Sequence, residues 1–338
     1  MKKTTLILEL LGVLGCMSSV WGYGINAGNL PKEFTPEIAT TVGAMNNSFS
    51  VSGSRGDVEV KLYKGDTDVF SFTELQTYNT PNDAPTYGIP TLTCEDVTIN
   101  VTGSSANHWL RISGGILNAT NTIINTKYLA ISRGGTLNMD GGQLNLTGDR
   151  SDLGGNDSTY KISGTMNLNN AEFTAAGRVT AYTLSGSGTG HIVLTGNSSF
   201  KGTELRIENQ ATFSMFDNSS IEVDSLLANN MTISKNSKVI VDSYDKLGIV
   251  NLNIVLDSLE SINFSDIFIS ETEGETVVFS ALTPNVSVVD SSGNAYENFS
   301  FVYDESGNLT GISVPEPSTY VAIIGALALA FAAYRRRK

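Results

Sequence analysis

Apolar and polar residues alternate in short runs separated by Gly, Asn, Asp and Ser, along almost the whole chain. Val58-Glu59-Val60-Lys61-Leu62 is one such run, and period-two alternation is the signature of a strand with one face buried. Gly65-Asp66 predicts a turn back into Val69-Phe70-Ser71-Phe72, and Pro81, Pro85 and Pro90 mark a boundary after it. Residues 23–91 therefore read as an irregular β leader. Arg55-Gly56-Asp57 stands just before its first clear strand and reads as an ordinary turn, although the tripeptide resembles an integrin-binding motif.

Between about 92 and 245 the strands repeat a theme. Leu110-Arg111-Ile112-Ser113-Gly114-Gly115-Ile116-Leu117-Asn118 is echoed by Leu129-Ala130-Ile131-Ser132-Arg133-Gly134-Gly135-Thr136-Leu137-Asn138. Degenerate copies align on Ile162, Leu184, Ile207 and Ile233, at successive steps of 19, 31, 22, 23 and 26 residues. Such spacing suits one turn of a β-solenoid, in which each rung buries its inward face only by stacking on its neighbours. Asn, Ser, Thr and Gly fall between strands, at corners that need positive φ or local side-chain hydrogen bonds. The predicted fold class is all-β, a right-handed parallel β-helix or solenoid. A tandem β-sandwich is the second reading, because short strands with Gly turns look much the same. From 246 to 314 the strands are more apolar, with a turn at Asp304-Glu305-Ser306-Gly307-Asn308 and a return strand from Leu309 to Val314. This segment is expected to cap the open end of the solenoid.

The two ends of the chain are different in kind. Lys2 and Lys3 precede an apolar stretch from Leu6 to Val13, interrupted only by Glu9, and then small residues, which predicts an export signal over 1–22. A competing reading takes Val13-Leu14-Gly15-Cys16 as a lipoprotein box with Cys16 lipidated. At the other end Pro315-Glu316-Pro317 must be extended, because proline fixes φ and cannot continue a ladder. Residues 318–334 carry no charge and predict a membrane helix of about 25 Å, slightly short of a bilayer core of about 30 Å. Arg335, Arg336, Arg337 and Lys338 then predict a cytoplasmic anchor.

These last residues resemble the PEP-CTERM sorting signal of Gram-negative bacteria, which joins a Pro-Glu-Pro motif, a short membrane helix and a basic end. The resemblance implies an exosortase as partner, cutting at Pro315, Glu316 and Pro317 after export by the general secretion machinery. It implies transient residence in the inner membrane and then release to the cell surface or an exopolysaccharide matrix. The same tail also resembles an ice-binding-protein C-terminal module, a label that describes the tail and not an activity. The body resembles the passenger regions of autotransporter-type surface proteins and similar right-handed parallel β-helices.

Charge and chemistry narrow the body further. The chain has 34 acidic and 21 basic residues, net −13; six of the cations and two of the anions lie in 1–22 and 315–338, which leaves the body at −17. An acidic body does not bind nucleic acid by charge. Only Cys16 and Cys94 are present, so removal of the leader leaves a lone cysteine and no internal disulfide. His108 and His191 each stand alone in strand-like context, and Gly186-Ser187-Gly188-Thr189-Gly190 misplaces the serine of a nucleophile elbow. The segment from Gly148 to Asp157 holds Gly-Gly-Asn-Asp, half of a calcium-binding turn, but once only. Trp109, Tyr128, Tyr160 and Tyr182 lie at comparable positions near strand starts and are candidates to stack on sugar rings or to pack at rung edges.

The expectation is an exported, non-enzymatic surface or extracellular-matrix structural protein, with no cofactor, no catalytic residues and no metal site. Its further expected partner is extracellular polysaccharide, and the alternative function is a carbohydrate-binding adhesin using one solenoid face. A polysaccharide-active β-helix enzyme is the third reading; its site needs carboxylates gathered on one face.

Overall fold

A computed structural model describes residues 23–25, 32–53, 56–78, 88–103, 110–148, 150–152, 162–184, 188–256, 261–275, 285–290, 292–296, 299–314, 324–329 and 334–335. Among these, nearly all strand pairing is parallel and runs from one rung to the next. Ile116–Thr126 shows how the local pattern builds the fold. Inward Leu117, Ala119, Ile124 and Thr126 are buried, while Asn118 and Asn125 point outward. The strand breaks its alternation at Asn121, which takes φ +47° and swings the chain from one face onto the next. The same strand therefore pairs with 91–95 through its first half and with 98–101 through its second.

Following the register gives a solenoid with three faces. On face one, Leu110 lies beside Leu129 and Ile112 beside Ile131, and further along Val179, Leu205, Leu226 and Leu247 form one inward column. Face two carries the inward column Leu92, Leu117, Leu137, Met166, Ile192, Phe213, Met231, Leu252, Val286. Face three stacks Ile99, Ile124, Leu144, Phe173, Phe200, Ile221, Val239 and Phe268. The three columns meet in one continuous apolar core. Phe173 and Phe200 pack with ring centroids 4.7 Å apart, an arrangement that adds about 0.5–1.5 kcal/mol beyond area burial.

The corner between faces two and three is built alike at six turns. Asp96, Asn121, Gly141, Asn170, Gly196 and Asp217 all have positive φ there, a conformation that Gly, Asn and Asp reach at least cost. Just beyond it Ser198, Ser219 and Ser237 are fully buried. Their hydroxyls are satisfied internally: Ser219 and Ser237 lie 3.2 Å apart, and Ser198 Oγ accepts from Ala171 N at 3.2 Å.

Several expectations change. Val58–Tyr63 and Val69–Phe72 do not form a hairpin. Each pairs in parallel with the next rung, Pro90–Glu95 and Thr98–Val101, so residues 64–68 turn a corner between faces. Residues 33–78 thus share the stacking of the repeats, and Phe34, Phe49, Phe70 and Phe72 fill their interior. The repeat frame holds for Ile112, Ile131, Ile162 and Ile207, which share one column of face one, but Ala181 and Ala228 fill the places expected for Leu184 and Ile233. Leu184 belongs to a two-stranded antiparallel excursion, and Ile233 lies on face two.

Parallel stacking also continues past 246, through Leu247–Leu256 to Asn285–Asp290. The antiparallel part is a three-stranded sheet of Ile262–Asn263, Leu309–Ser313 and Ser300–Tyr303. Its Asp304 turn forms as predicted: Asp304 Oδ1 accepts from Ser306 N at 2.9 Å and Asn308 N at 2.8 Å. Beyond it, the continuous helix expected over 318–334 is not found among the described residues, where only 324–329 and 334–335 are helical. A run of six residues spans about 9 Å, and no described helix is long and apolar enough to cross a membrane.

Candidate functional site

The junction between body and tail is sharply defined on the body side. Leu309–Ser313 is the central strand of the antiparallel sheet, flanked by Ile262–Asn263 and Ser300–Tyr303. Ile312 is fully buried and Val314 nearly so, and Val314 N donates to Ser261 Oγ at 3.3 Å. The next residue is Pro315, which has no N–H to offer a ladder. Packing and hydrogen bonding therefore hold the chain up to the residue before the Pro-Glu-Pro motif. Pro315, Glu316, Pro317 and the basic residues Arg336, Arg337 and Lys338 lie outside the described residues, as does the leader 1–22. Arg335 is helical and exposed.

The described part of the tail is apolar and uncovered. Ile324, Leu327, Leu329 and Tyr334 are 60–73% exposed, so the body gives them no burial. Side chains of this kind left in water forfeit the stabilisation that an apolar environment supplies.

The fold and tail together define a class: a parallel β-solenoid body ending in a C-terminal sorting segment. Residues 313–338 match the PEP-CTERM protein-sorting motif. That motif is the substrate signal of exosortase, and it marks an exported protein processed at the membrane. No curated protein and no solved structure matches the chain, so the comparison speaks for the tail and leaves the body to its own geometry.

The other candidate residues are dispersed. His191 lies on face two, where its Nδ1 is 2.8 Å from Thr212 Oγ1 in the next rung, a structural contact. His108, Trp109, Tyr160, Arg55, Asp149, Asn156, Asp157 and Ser187 fall outside the described residues. Asp57 is occupied locally, its Oδ1 accepting from Ile89 N at 2.7 Å. The aromatic row is not assembled among the described residues. Tyr182 is only 7% exposed, and the Lys127 ammonium sits 5.5 Å from the centre of the Tyr128 ring. No group of three His, Cys, Asp or Glu side chains able to hold a metal ion occurs among the described residues. Cys94 is fully buried in the core, and burial pushes its thiol far up.

Three features escaped the sequence reading. Outward asparagines form hydrogen-bonded ladders: Asn138 Nδ2 donates to Asn118 Oδ1 and Asn167 Nδ2 to Asn138 Oδ1, both at 2.8 Å. A parallel ladder on face three runs from Asn100 through Asn125 to Asn145 and ends at Thr174. The Asp304 turn has a twin at Asp290-Ser291-Ser292-Gly293-Asn294, where Asp290 Oδ1 accepts from Ser292 N and Asn294 N at 2.9 and 2.8 Å. The repeated Asp-x-Ser-Gly-Asn spacing was the available signal. Lastly, Glu204 is held by both Arg178 and Arg206 on face one. Burial pushes its carboxyl up, but the two guanidinium hydrogen bonds prevail and hold it below the usual range.

The outward surface of face two is the most uniform. Its central column reads Thr93, Asn118, Asn138, Asn167, Val193, Ser214, Thr232, Asn253 and Ser287 in unbroken parallel register. The column beside it runs through Ile116, Thr136, Thr165, His191 and Thr212.

Proposed function

We propose that this chain is a bacterial cell-surface or extracellular-matrix structural protein, exported by a leader at 1–22 and sorted through its tail. In this reading residues 318–334 lie transiently in the inner membrane with Arg335 to Lys338 on the cytoplasmic side, where tetracationic ends are retained. An exosortase cuts at Pro315, Glu316 and Pro317 and releases the solenoid. The body has no catalytic role; it is a rigid, acidic scaffold that parallel stacking makes long without disulfides.

The observation that carries the reading is the junction itself. Val314 is packed and hydrogen-bonded, and Pro315, inside the match over 313–338, begins the Pro-Glu-Pro triplet. A cut there removes the uncovered apolar tail and leaves the core whole. The test is replacement of Pro315, Glu316 and Pro317 by alanine in the native host, followed by cell fractionation. Retention of the variant in the inner membrane at full length is the expected result. An unchanged surface fraction would remove the motif from the sorting step.

A further inference from the structure

We infer that the outward surface of face two binds an uncharged polysaccharide, laid along the rungs. The inference rests on the surface or matrix reading above and names the face and the ligand chemistry. Its basis is the distribution of charge. The chain carries 34 acidic and 21 basic residues, and faces one and three present them outward, as Arg178, Glu204, Lys201 and Glu222. The central column of face two, from Thr93 to Ser287, contains no Asp, Glu, Lys or Arg. The column beside it is also uncharged, with His191 as its one titratable group. Charge lies at the margin, at Glu95 and Asp140, both exposed, and at the N-terminal end of the face, where Lys61 stacks on Thr93, Glu59 on Thr91 and Glu33 on Lys61.

An acidic protein that keeps the central column of one face free of charge over nine stacked rungs leaves an uncharged strip about 40 Å long, at the ordinary strand spacing of about 4.8 Å. What it offers is regular: a carboxamide or hydroxyl at almost every rung. In the Asn118–Asn138–Asn167 ladder Asn138 uses one N–H and one acceptor site, Asn118 one acceptor site and Asn167 one N–H. Each amide retains a second N–H and a second lone pair. Paired donors and acceptors of this kind match sugar hydroxyls, and a spacing near the length of one sugar unit lets successive units meet successive rungs. Single contacts are weak in water, so affinity comes from repetition along the chain.

Charge selects the occupant. A polyanionic glycan is repelled by a chain of net −13. A second copy of the chain brings the same negative charge, and an interface between copies needs an apolar centre, whereas this face offers mainly Asn, Thr and Ser. An uncharged glycan meets neither obstacle.

The test is affinity electrophoresis of the full chain, purified in neutral detergent, through gels containing hydroxyethylcellulose, dextran or soluble amylose, with alginate as the polyanion. Retardation by at least one neutral polymer and by little or none of the alginate is expected. The double variant Thr136→Glu/Thr165→Glu, which charges face two, is expected to weaken that retardation at least tenfold. Thr98→Glu/Thr174→Glu places the same charges on face three and should leave it intact. Retardation by none of the neutral polymers, or equal loss in both double variants, overturns the inference. So does a dimer in sedimentation that dissociates on charging face two, which would make a second copy the occupant. The assay uses purified protein, so its failure leaves the sorting reading untouched, and failure of sorting leaves this result standing.

Discussion

Asn138 Nδ2 donates to Asn118 Oδ1 at 2.8 Å across 20 residues of chain, and Asn138 Oδ1 in turn accepts from Asn167 Nδ2, 29 residues further on. One side chain thus ties three rungs together, although the two loops that separate them differ in length. Identical side chains meet because the parallel register is unbroken, and the register is unbroken because Leu117, Leu137 and Met166 stack beneath.

Replacing Asn138 by Ala removes both bonds and leaves an unpaired donor on Asn167 and an unpaired acceptor on Asn118. The expected loss is about 1–2 kcal/mol, read as a lower urea midpoint. The same change at Asn218, which is exposed and makes one side-chain bond, to Asn197 Oδ1 at 3.3 Å, should cost less. Equal midpoints for the two variants would mean the ladder does not hold rungs together.

Gly196, at the corner between faces two and three, and Gly134, at the corner between faces one and two, separate crowding from backbone angle. Both have positive φ, +63° and +71°. A Cβ at Gly134 meets nothing within 4 Å, while one at Gly196 would stand 2.3 Å from Asn170 Oδ1. Gly134→Ala is expected to cost about 1–2 kcal/mol from the left-handed conformation alone. Gly196→Ala should cost roughly twice that, because Asn170 must also move. Comparable denaturation midpoints for the two variants would show that the corner tolerates the extra atom.

Much of this was legible in the sequence, and the limits are physical. Alternation marks a strand, and repetition at 20–30 residues marks a stack, so the parallel solenoid could be read from Ile112 and Ile131. Alternation does not say which face a strand occupies. With three strands to a rung, Ile207 on face one and Ile233 on face two look alike, and Ala181 and Ala228 hold the true equivalent positions without an apolar signal. Likewise Val58–Tyr63 and Val69–Phe72 read as a hairpin because a short polar link suits a corner as well as a reversal. The asparagine ladders were hidden for a related reason. Asn at outward positions is ordinary solvent-facing polarity until the register brings its copies together. The sorting tail was readable throughout because its information is linear: Pro315-Glu316-Pro317, an uncharged stretch and four cations in order.

Acid should weaken the N-terminal end. Glu37 Oε1 accepts from Thr67 N at 3.0 Å and from Thr67 Oγ1 at 3.2 Å. Hydrogen bonding, first from the Thr35 side chain and then from the backbone at Glu37 and Thr67, holds its carboxyl down at about 2. A depressed folded value means that its contribution is present above the unfolded value of about 4.3 and is lost as pH falls from there towards 2. Glu37→Gln should therefore lower stability at pH 6 and converge with the native chain near pH 2. Parallel stability curves across that window would contradict the assignment.

The most direct test of the account is the intact mass and C-terminal sequence of the protein recovered from the surface fraction of its native host. The account predicts a product that ends near Pro315 to Pro317, lacks the basic tail, and keeps Val314 with its buried strand. A product that still carries Arg335 to Lys338 and fractionates with the inner membrane would contradict it, and the chain would then be a permanently anchored protein.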